Sequence, residues 1–339
     1  MAQPQSPQVT VAIVAYQSGG FLQPCLDALA AQSFTDFEAV IVDNDSTDGS
    51  IEAVRLPDAR FRIEKLGTNT GFAVANNVAA RASAAPWLAT LNPDTRADPQ
   101  WLEKLMAATA RWPDAASFGS TQVSLDNPDE LDGVGDVYHA AGLAWRARLG
   151  SPLSAIPPEG EVFGPCAAAA LYRRDLFVEL GGFDESYFCY SEDVDLAYRL
   201  RLAGWTAVQV PDAIVRHAGS GISGRTSEFT VFHGHRNRVW TYVKNTPGIW
   251  VWLLLPYHMA YNALMAYTGF RIGKGPPMIR AYWAALTGLG PVLVSRRAVQ
   301  KARRASIRSL FRAMSWEPKS PLRRDVTRRL AQPPPGPPQ

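Results

Sequence analysis

VTVAIVAYQSGGFLQPCLDALAAQSFTDFEAVIVDNDSTDG, residues 9–49, sets a β-branched apolar run (9–15), a helix-like stretch (21–31) and a second apolar run (37–42) one after another. Short runs of Val and Ile bounded by polar residues read as buried strands. Strands separated by 10 or more helical residues run parallel, joined by right-handed crossovers. The rhythm continues with a short helix at 50–55, a strand at 61–65, an Ala-rich helix at 72–82 and a strand at 87–91. The expected fold is α/β, a mostly parallel sheet flanked by helices, with ligands at the carboxyl ends of its strands.

Two acidic turns stand at those ends: residues 43–49 (DNDSTDG) and 92–95 (NPDT). No GxGxxG follows the first strand and no GxxxxGK(S/T) occurs anywhere, which disfavours a hydride-transfer Rossmann enzyme and a P-loop protein. An acidic turn alone usually just satisfies its own backbone. Here a second cluster, Glu192-Asp193-Val194-Asp195, opens a helix expected over 192–203, and His217 follows the last core strand at 206–210. Carboxylates plus an imidazole, with room for phosphate oxygens, suit Mg2+ or Mn2+. Such an ion offsets the charge on a departing nucleoside diphosphate. Residues 124–160, rich in Asp, Gly and Pro, read as a long irregular excursion over the sheet, in the manner of a lid.

The 339 residues (37.0 kDa) are 47% hydrophobic and 19% charged, enough apolar matter for one large core with an appendage and too much for a disordered or fibrous chain. Mean hydropathy of −0.11 argues against a many-helix membrane protein. The net charge of +3 hides an asymmetry. Residues 296–339 hold 12 Lys and Arg against 2 Asp and Glu, a net +10, which leaves −7 on residues 1–295. Three widely spaced cysteines suggest a reduced interior, and residues 1–8 lack the pattern of a secretory signal. Residues 245–270 carry no Lys, Arg, Asp or Glu. That stretch is long enough to span a bilayer, but Pro256, His258, Asn262 and frequent Trp and Tyr suit an interfacial helix equally well. Apolar segments followed by clustered cations describe a chain resting on an anionic membrane surface.

VAIVAYQ (11–17), IVDNDSTDGS (41–50), NTGFAVANN (69–77), LNPDT (91–95), GGFDESYFCYSEDVDLAYRLRLAGW (181–205) and VRHAGSG (215–221) occur in an order and spacing that resemble the family 2 inverting glycosyltransferases of GT-A fold, especially bacterial rhamnosyltransferase-like members. The resemblance covers about residues 9–245, and HGHRNRVWTYVKNTP (233–247) is similar to the segment after the metal histidine of that subgroup. It implies that Tyr16 and Asp43 contact the nucleotide base, with Asp45 of the same turn counted with them, and that the Asn69-Thr70-Gly71 turn lets backbone approach the donor. Asp94 and His217 would bind the metal. The family's Asp-X-Asp is here Asn92-Pro93-Asp94, so Asn92 is left to hydrogen-bond the donor, and the ion should bind weakly without the diphosphate.

Inversion requires a base opposite the leaving diphosphate. Asp193 matches the family's position for it, with Glu192 the next candidate. Asp195, two positions on, cannot share a helical face with Asp193 and reads as structural or as an acceptor contact. Arg236 and Arg238 carry guanidinium forks suited to the diphosphate of the donor or of a lipid-linked acceptor.

The sequence therefore divides into a GT-A domain (1–245), an apolar and basic membrane-associated helical region (246–312) and a basic, Pro-rich disordered tail (313–339). The expected activity is metal-dependent transfer of a sugar from a nucleotide-sugar donor to a lipid-linked or polysaccharide glycan acceptor. The resemblance suggests dTDP-rhamnose as the donor, with UDP- and GDP-sugars beside it. The expected place is the cytoplasmic face of a bacterial inner membrane, in cell-surface polysaccharide synthesis, with no nucleic-acid partner. Two other readings stay open at this point: a catalytically inactive membrane scaffold of the same fold, and a nucleic-acid binder acting through the basic tail.

Overall fold

The computed structural model describes residues 6–219 and 227–320. The last two residues of the 215–221 motif and the Pro-rich end, 321–339, lie outside the described residues. Strands β1 (Val9–Ala15), β2 (Phe37–Asp43), β3 (Phe61–Lys65) and β4 (Trp87–Leu91) alternate with helices α1 (Leu22–Ala30), α2 (Ser50–Ala53) and α3 (Gly71–Ala82). Then follow β5 (Thr95–Ala97), α4 (Trp101–Arg111), β6 (Ala115–Ser124), β7 (Leu131–Gly133), β8 (Asp136–His139), β9 (Leu143–Arg146), β10 (Gly160–Val162), β11 (Ala169–Arg173), α5 (Arg174–Glu179), α6 (Glu192–Leu202) and β12 (Thr206–His217). Six helices close the described residues: α7 (Glu228–Asn245), α8 (Trp250–Leu253), α9 (Leu255–Arg271), α10 (Gly275–Thr287), α11 (Leu289–Lys301) and α12 (Ile307–Arg312).

The main sheet runs β10-β12-β6-β11-β4-β1-β2-β3, with β5 added to β12 and β7 to β6. Its first half is parallel, β1 lying between β2 and β4. Helices cover both faces there, and the VTVAIVA strand is buried throughout. Val9, Val11, Ile13 and Ala15 pack with α1 and α4, while Ala12 and Val14 pack with the Ala-rich side of α3. The polar interruption, Thr10, is accommodated by hydrogen bonds to Ser83 (2.6 Å) and Glu38 (2.7 Å). The expectation of a mostly parallel sheet fails beyond β4. There β11 is antiparallel to both β4 and β6, and β10 and β5 are antiparallel to β12, so the sheet is mixed. Beyond β4, β6 and β12 still pair in parallel, while β11, β10, β5 and β7 run against their neighbours.

Residues 124–160 are not a loose excursion. They contain β7 and the β8–β9 hairpin, and Leu131, Val134, Val137 and Ala147 form a small core of their own.

The C-terminal helices are built onto the sheet domain and do not trail from it. Asp195 of α6, fully buried, pairs with Arg199 (2.8 Å) and with Lys244 of α7 (2.8 Å), and accepts from Asn245 (2.7 Å). Lys244 also holds Asp184 (2.5 Å), and although burial pushes the Asp184 carboxyl up, that ammonium brings it down to about 2. Arg296, expected among the membrane-facing cations, instead donates to the carbonyls of Val243 and Thr246, both at 2.6 Å. Leu310 and Met314 pack against Tyr138, Phe163 and Tyr198, and Ser315 exchanges backbone hydrogen bonds with Tyr138 and Ala140 (2.9 Å each). Residues 313–320 are thus part of the folded body and not of a free tail.

The apolar stretch 245–270 is broken between α8 and α9 at Leu254, with Pro256 opening α9. Among the described residues no helix is long and apolar enough to cross a membrane. Large apolar side chains nevertheless stand in the open along these helices, including Trp252 and Ile272 (70% exposed each) and Trp283 (68%).

Removing one member of a buried ion-pair group leaves the others uncompensated and costs about 3 to 5 kcal/mol. Asp195→Ala is expected to lower the unfolding free energy by about that much in urea titrations, whereas loss of the exposed Arg280–Glu228 pair should change it by less than about 1 kcal/mol.

Candidate active site

The carboxyl ends of β1, β2 and β4 open into a cavity of about 550 Å³ lined by Tyr16, Asn44, Asn69, Gly71, Asn92, Asp94 and His217. The turn at its wall is rigid. Asn44 Oδ1 accepts from Thr70 N (2.8 Å), and Asn69 Oδ1 accepts from Asn44 Nδ2 (2.9 Å) and Gly71 N (3.1 Å). Gly71 has φ +85°, and a Cβ there would stand 2.5 Å from the carbonyl oxygen of Phe188. The close backbone approach that requires glycine is therefore made by Phe188.

Asp94 and His217 meet because β5 pairs with the end of β12 in a register that sets Thr95 opposite His217. His217 Nε2 lies 3.3 Å from Asp94 Oδ1, and both residues are buried. At that distance the carboxylate and the imidazole attract each other electrostatically. On the far side of the ring, Nδ1 is 2.7 Å from Asp132 Oδ2. Burial lowers the imidazole pKa, but Asp132 and Asp94 outweigh it, and the net direction is upward. Asp132 is in turn bonded to Arg146.

This arrangement fits a divalent ion. A carboxylate on one imidazole nitrogen orients the other as a ligand, and adjacent ligands about 2.2 Å from a shared octahedral ion lie about 3.1 Å apart. Among the described residues no three His, Cys, Asp or Glu side chains form a fuller set, so any further ligands would come from diphosphate oxygens or water.

A second cavity, about 450 Å³, shares Phe72, Asn92, Arg146, Cys189 and Tyr190 with the first. It also contains Asp136, Glu192, Asp193, His235 and Arg238. Burial raises all three carboxyl groups, and they repel one another. Asp193 differs from the other two. Its Oδ2 accepts from Ala167 N (3.0 Å) and its Oδ1 from Val194 N (2.8 Å), whereas Glu192 Oε2 is buried without a partner. Hydrogen bonds to the charged form favour ionisation, so Asp193 is the group of the three that holds a negative charge most readily.

Residues 10–181, half of the chain, match the profile of Glycosyl transferase family 2. The chain belongs to glycosyltransferase family 2. Among its relatives is the N-acetylglucosaminyl-diphospho-decaprenol L-rhamnosyltransferase of Mycobacterium tuberculosis, 31% identical over 250 residues, which cover 63% of this chain and 77% of that one. TarS 1-349 of S. aureus in complex with UDP superposes with a TM-score of 0.56 at 17% identity, over 93% of this chain and 91% of that one. A mannosyltransferase of Pyrobaculum calidifontis in complex with GDP-Man and Mn2+ gives a TM-score of 0.51 at 19% identity, over 88% and 86%. At such identities these two structures establish the fold alone, which is GT-A. The protein is a glycosyltransferase of the rhamnosyltransferase-like branch of family 2.

For this glycosyltransferase the geometry separates the residues expected from sequence. Tyr16, Asn69, Gly71, Asn92, Asp94 and His217 gather in the first cavity, and Glu192, Asp193 and Arg238 in the second. Asp43 is buried at the end of β2, where its Oδ1 accepts from Ser46 N (2.9 Å), and its neighbour Asn44 lines the cavity in its place. Asp45 is exposed with φ +71° and lines neither cavity. Arg236 is spent on structure: its Nη2 donates to Ser186 O (3.2 Å) and Tyr187 O (2.9 Å), and the guanidinium stacks over Trp240. Asp195 is a structural anchor, bonded to Arg199, Lys244 and Asn245.

Composition hides Asp132, Asp136 and Arg146 from the sequence, because the 124–160 segment looks irregular. DVYHAAGLAWR, residues 136–146, does carry a hairpin signal, alternating residues around a Gly142 of φ +79°.

Gly71→Ala is expected to cost about 1 to 3 kcal/mol for its left-handed backbone, plus the clash with Phe188. Gly67 has φ +70° but open space around its Cβ position, so Gly67→Ala should lose less. Equal shifts of the two in thermal unfolding would show that the Phe188 approach contributes nothing.

Proposed function

We propose that this glycosyltransferase moves a hexose, rhamnose from dTDP-rhamnose foremost and otherwise a sugar from UDP or GDP, onto a lipid-linked glycan with inversion at the anomeric carbon. The observation that carries the reading is the pair of adjoining cavities, one holding Asp94 and His217 and the other Asp193, with Asn92 and Arg146 in the wall between them. The first would take the nucleotide sugar and the second the acceptor.

Asp94 and His217 are the residues that would hold Mg2+ or Mn2+, with Asp132 orienting the imidazole. When bound, the ion would offset charge on the diphosphate. Asn92, whose Oδ1 is buried without a partner, is available to a donor hydroxyl. Tyr16 stands at the rim of the first cavity for the base, and the Asn69-Thr70-Gly71 turn lines its wall.

Asp193 accepts the proton of the acceptor hydroxyl as the new C1–O bond forms and the C1–O bond to the diphosphate breaks. Burial and the neighbouring carboxylate push Glu192 and Asp136 well upward, which favours their protonated forms and concentrates negative charge on Asp193.

The relative's acceptor is named as a diphospho-decaprenol, which supports a lipid-linked substrate here. The exposed Trp252, Ile272 and Trp283, together with exposed cations such as Arg297, Lys301 and Arg303, support seating of the C-terminal helices on an anionic membrane surface at the cytoplasmic face.

Asp193→Asn should abolish turnover while nucleotide binding survives; near-normal turnover would remove Asp193 from the role. The base works only as the carboxylate, and burial raises its pKa, so activity should fall as the pH drops through a value above the ordinary carboxylate range of about 4. A pH profile of kcat/KM that stays flat down to pH 4 would count against it.

A further inference from the structure

Arg238 is an enclosed cation with no acid to answer it. Its Nη2 donates to Asn262 Oδ1 (2.6 Å) and Tyr282 OH (3.0 Å) and faces His235 Nδ1 at 2.7 Å. Its Nε is buried and has no partner. None of these neighbours is anionic, and among the described residues no carboxylate lies within ion-pair distance of the guanidinium. Burial lowers the Arg238 pKa, and burial together with Arg238 itself presses His235 down to about 3, so the histidine stays neutral. An enclosed charge without a counter-charge is costly, and such a site is relieved by an anion.

Position says which anion. Arg238 lines the cavity of Asp193 and is absent from the walls of the cavity that holds Asp94 and His217. The nucleotide diphosphate, placed with the latter pair, is not its partner. A molecule filling the Asp193 cavity would offer a hydroxyl to the base and an anionic group to the guanidinium. The residues that lock Arg238 in place, Asn262 and Tyr282, belong to α9 and α10. These two helices also expose Met259, Tyr267, Ile279 and Trp283, an apolar surface suited to a hydrocarbon chain.

We propose that Arg238 is the residue of the Asp193 cavity that binds the diphosphate of the lipid-linked acceptor. This rests on the reading of the Asp193 cavity as the acceptor site.

Calorimetric titration of the full chain with geranyl diphosphate, inorganic pyrophosphate and, in Mn2+, dTDP or UDP tests it without turnover. Arg238→Gln should weaken geranyl diphosphate binding roughly tenfold or more, and Arg238→Lys should recover part of the loss, while nucleotide affinity is unchanged. Asn262→Ala, which keeps the charge but frees the guanidinium, should give an intermediate loss and serves if the glutamine variant does not fold. Geranyl diphosphate binding that ignores these substitutions, or a parallel loss of nucleotide affinity, would overturn the assignment. Pyrophosphate binding as tightly as geranyl diphosphate, with the same dependence on Arg238, would overturn the lipid part of it. Since dTDP binding in Mn2+ is read separately, a failure of the glycosyltransferase reading appears as loss of that signal and not as a change at Arg238.

Discussion

The contact between Asp94 and His217 is the constraint on which the rest depends. It is made by strand pairing: β5 lies against the end of β12 in a register that opposes Thr95 to His217, and Ala218 N donates to Asp94 O (3.1 Å). A buried carboxylate and a buried imidazole 3.3 Å apart, with a second carboxylate behind the ring, are difficult to maintain by chance in a low-dielectric site. The sheet fixes both backbones, so the site is organised before any ligand arrives.

The same economy of scaffold holds the second cavity. Asp193 sits at the start of α6, and the next carboxylate on that helix, Asp195, turns inward to Lys244 and Arg199. One helix thereby carries a carboxyl of the second cavity on one side and the anchor of α7 on the other. Asn237 of α7 donates to the carbonyls of Tyr187, Cys189 and Tyr190 (3.0, 2.8 and 2.7 Å). It holds a turn in which Phe188, Tyr190 and Ser191 all have positive φ. Such backbone persists only where its surroundings over-determine it, and here it forms a wall of both cavities.

What could be read from sequence follows from how local the signal is. The parallel half of the sheet is written in alternating apolar strands and helices, and β1 to β4 match their expected limits within one residue. The pairing of Asp94 with His217 was accessible only through the ordered motifs of a known family, since no periodicity reports a contact between distant strands. Asp132, Asp136 and Arg146 were hidden by composition, because a hairpin of Asp, Gly and Ala resembles a loop until its burial is known. The inward turn of Arg296 was invisible for a different reason: a cation among cations reads as surface, and only the carbonyls of Val243 and Thr246 reveal its task.

The most direct measurement is a crystal structure grown with Mn2+ and a nucleoside diphosphate, with anomalous data collected near the manganese edge. An anomalous peak about 2.2 Å from both an Asp94 carboxylate oxygen and His217 Nε2, shared with diphosphate oxygens, is the expected result. A nucleotide bound in the first cavity with the manganese elsewhere, or bound equally well with no metal near those two residues, would contradict the account.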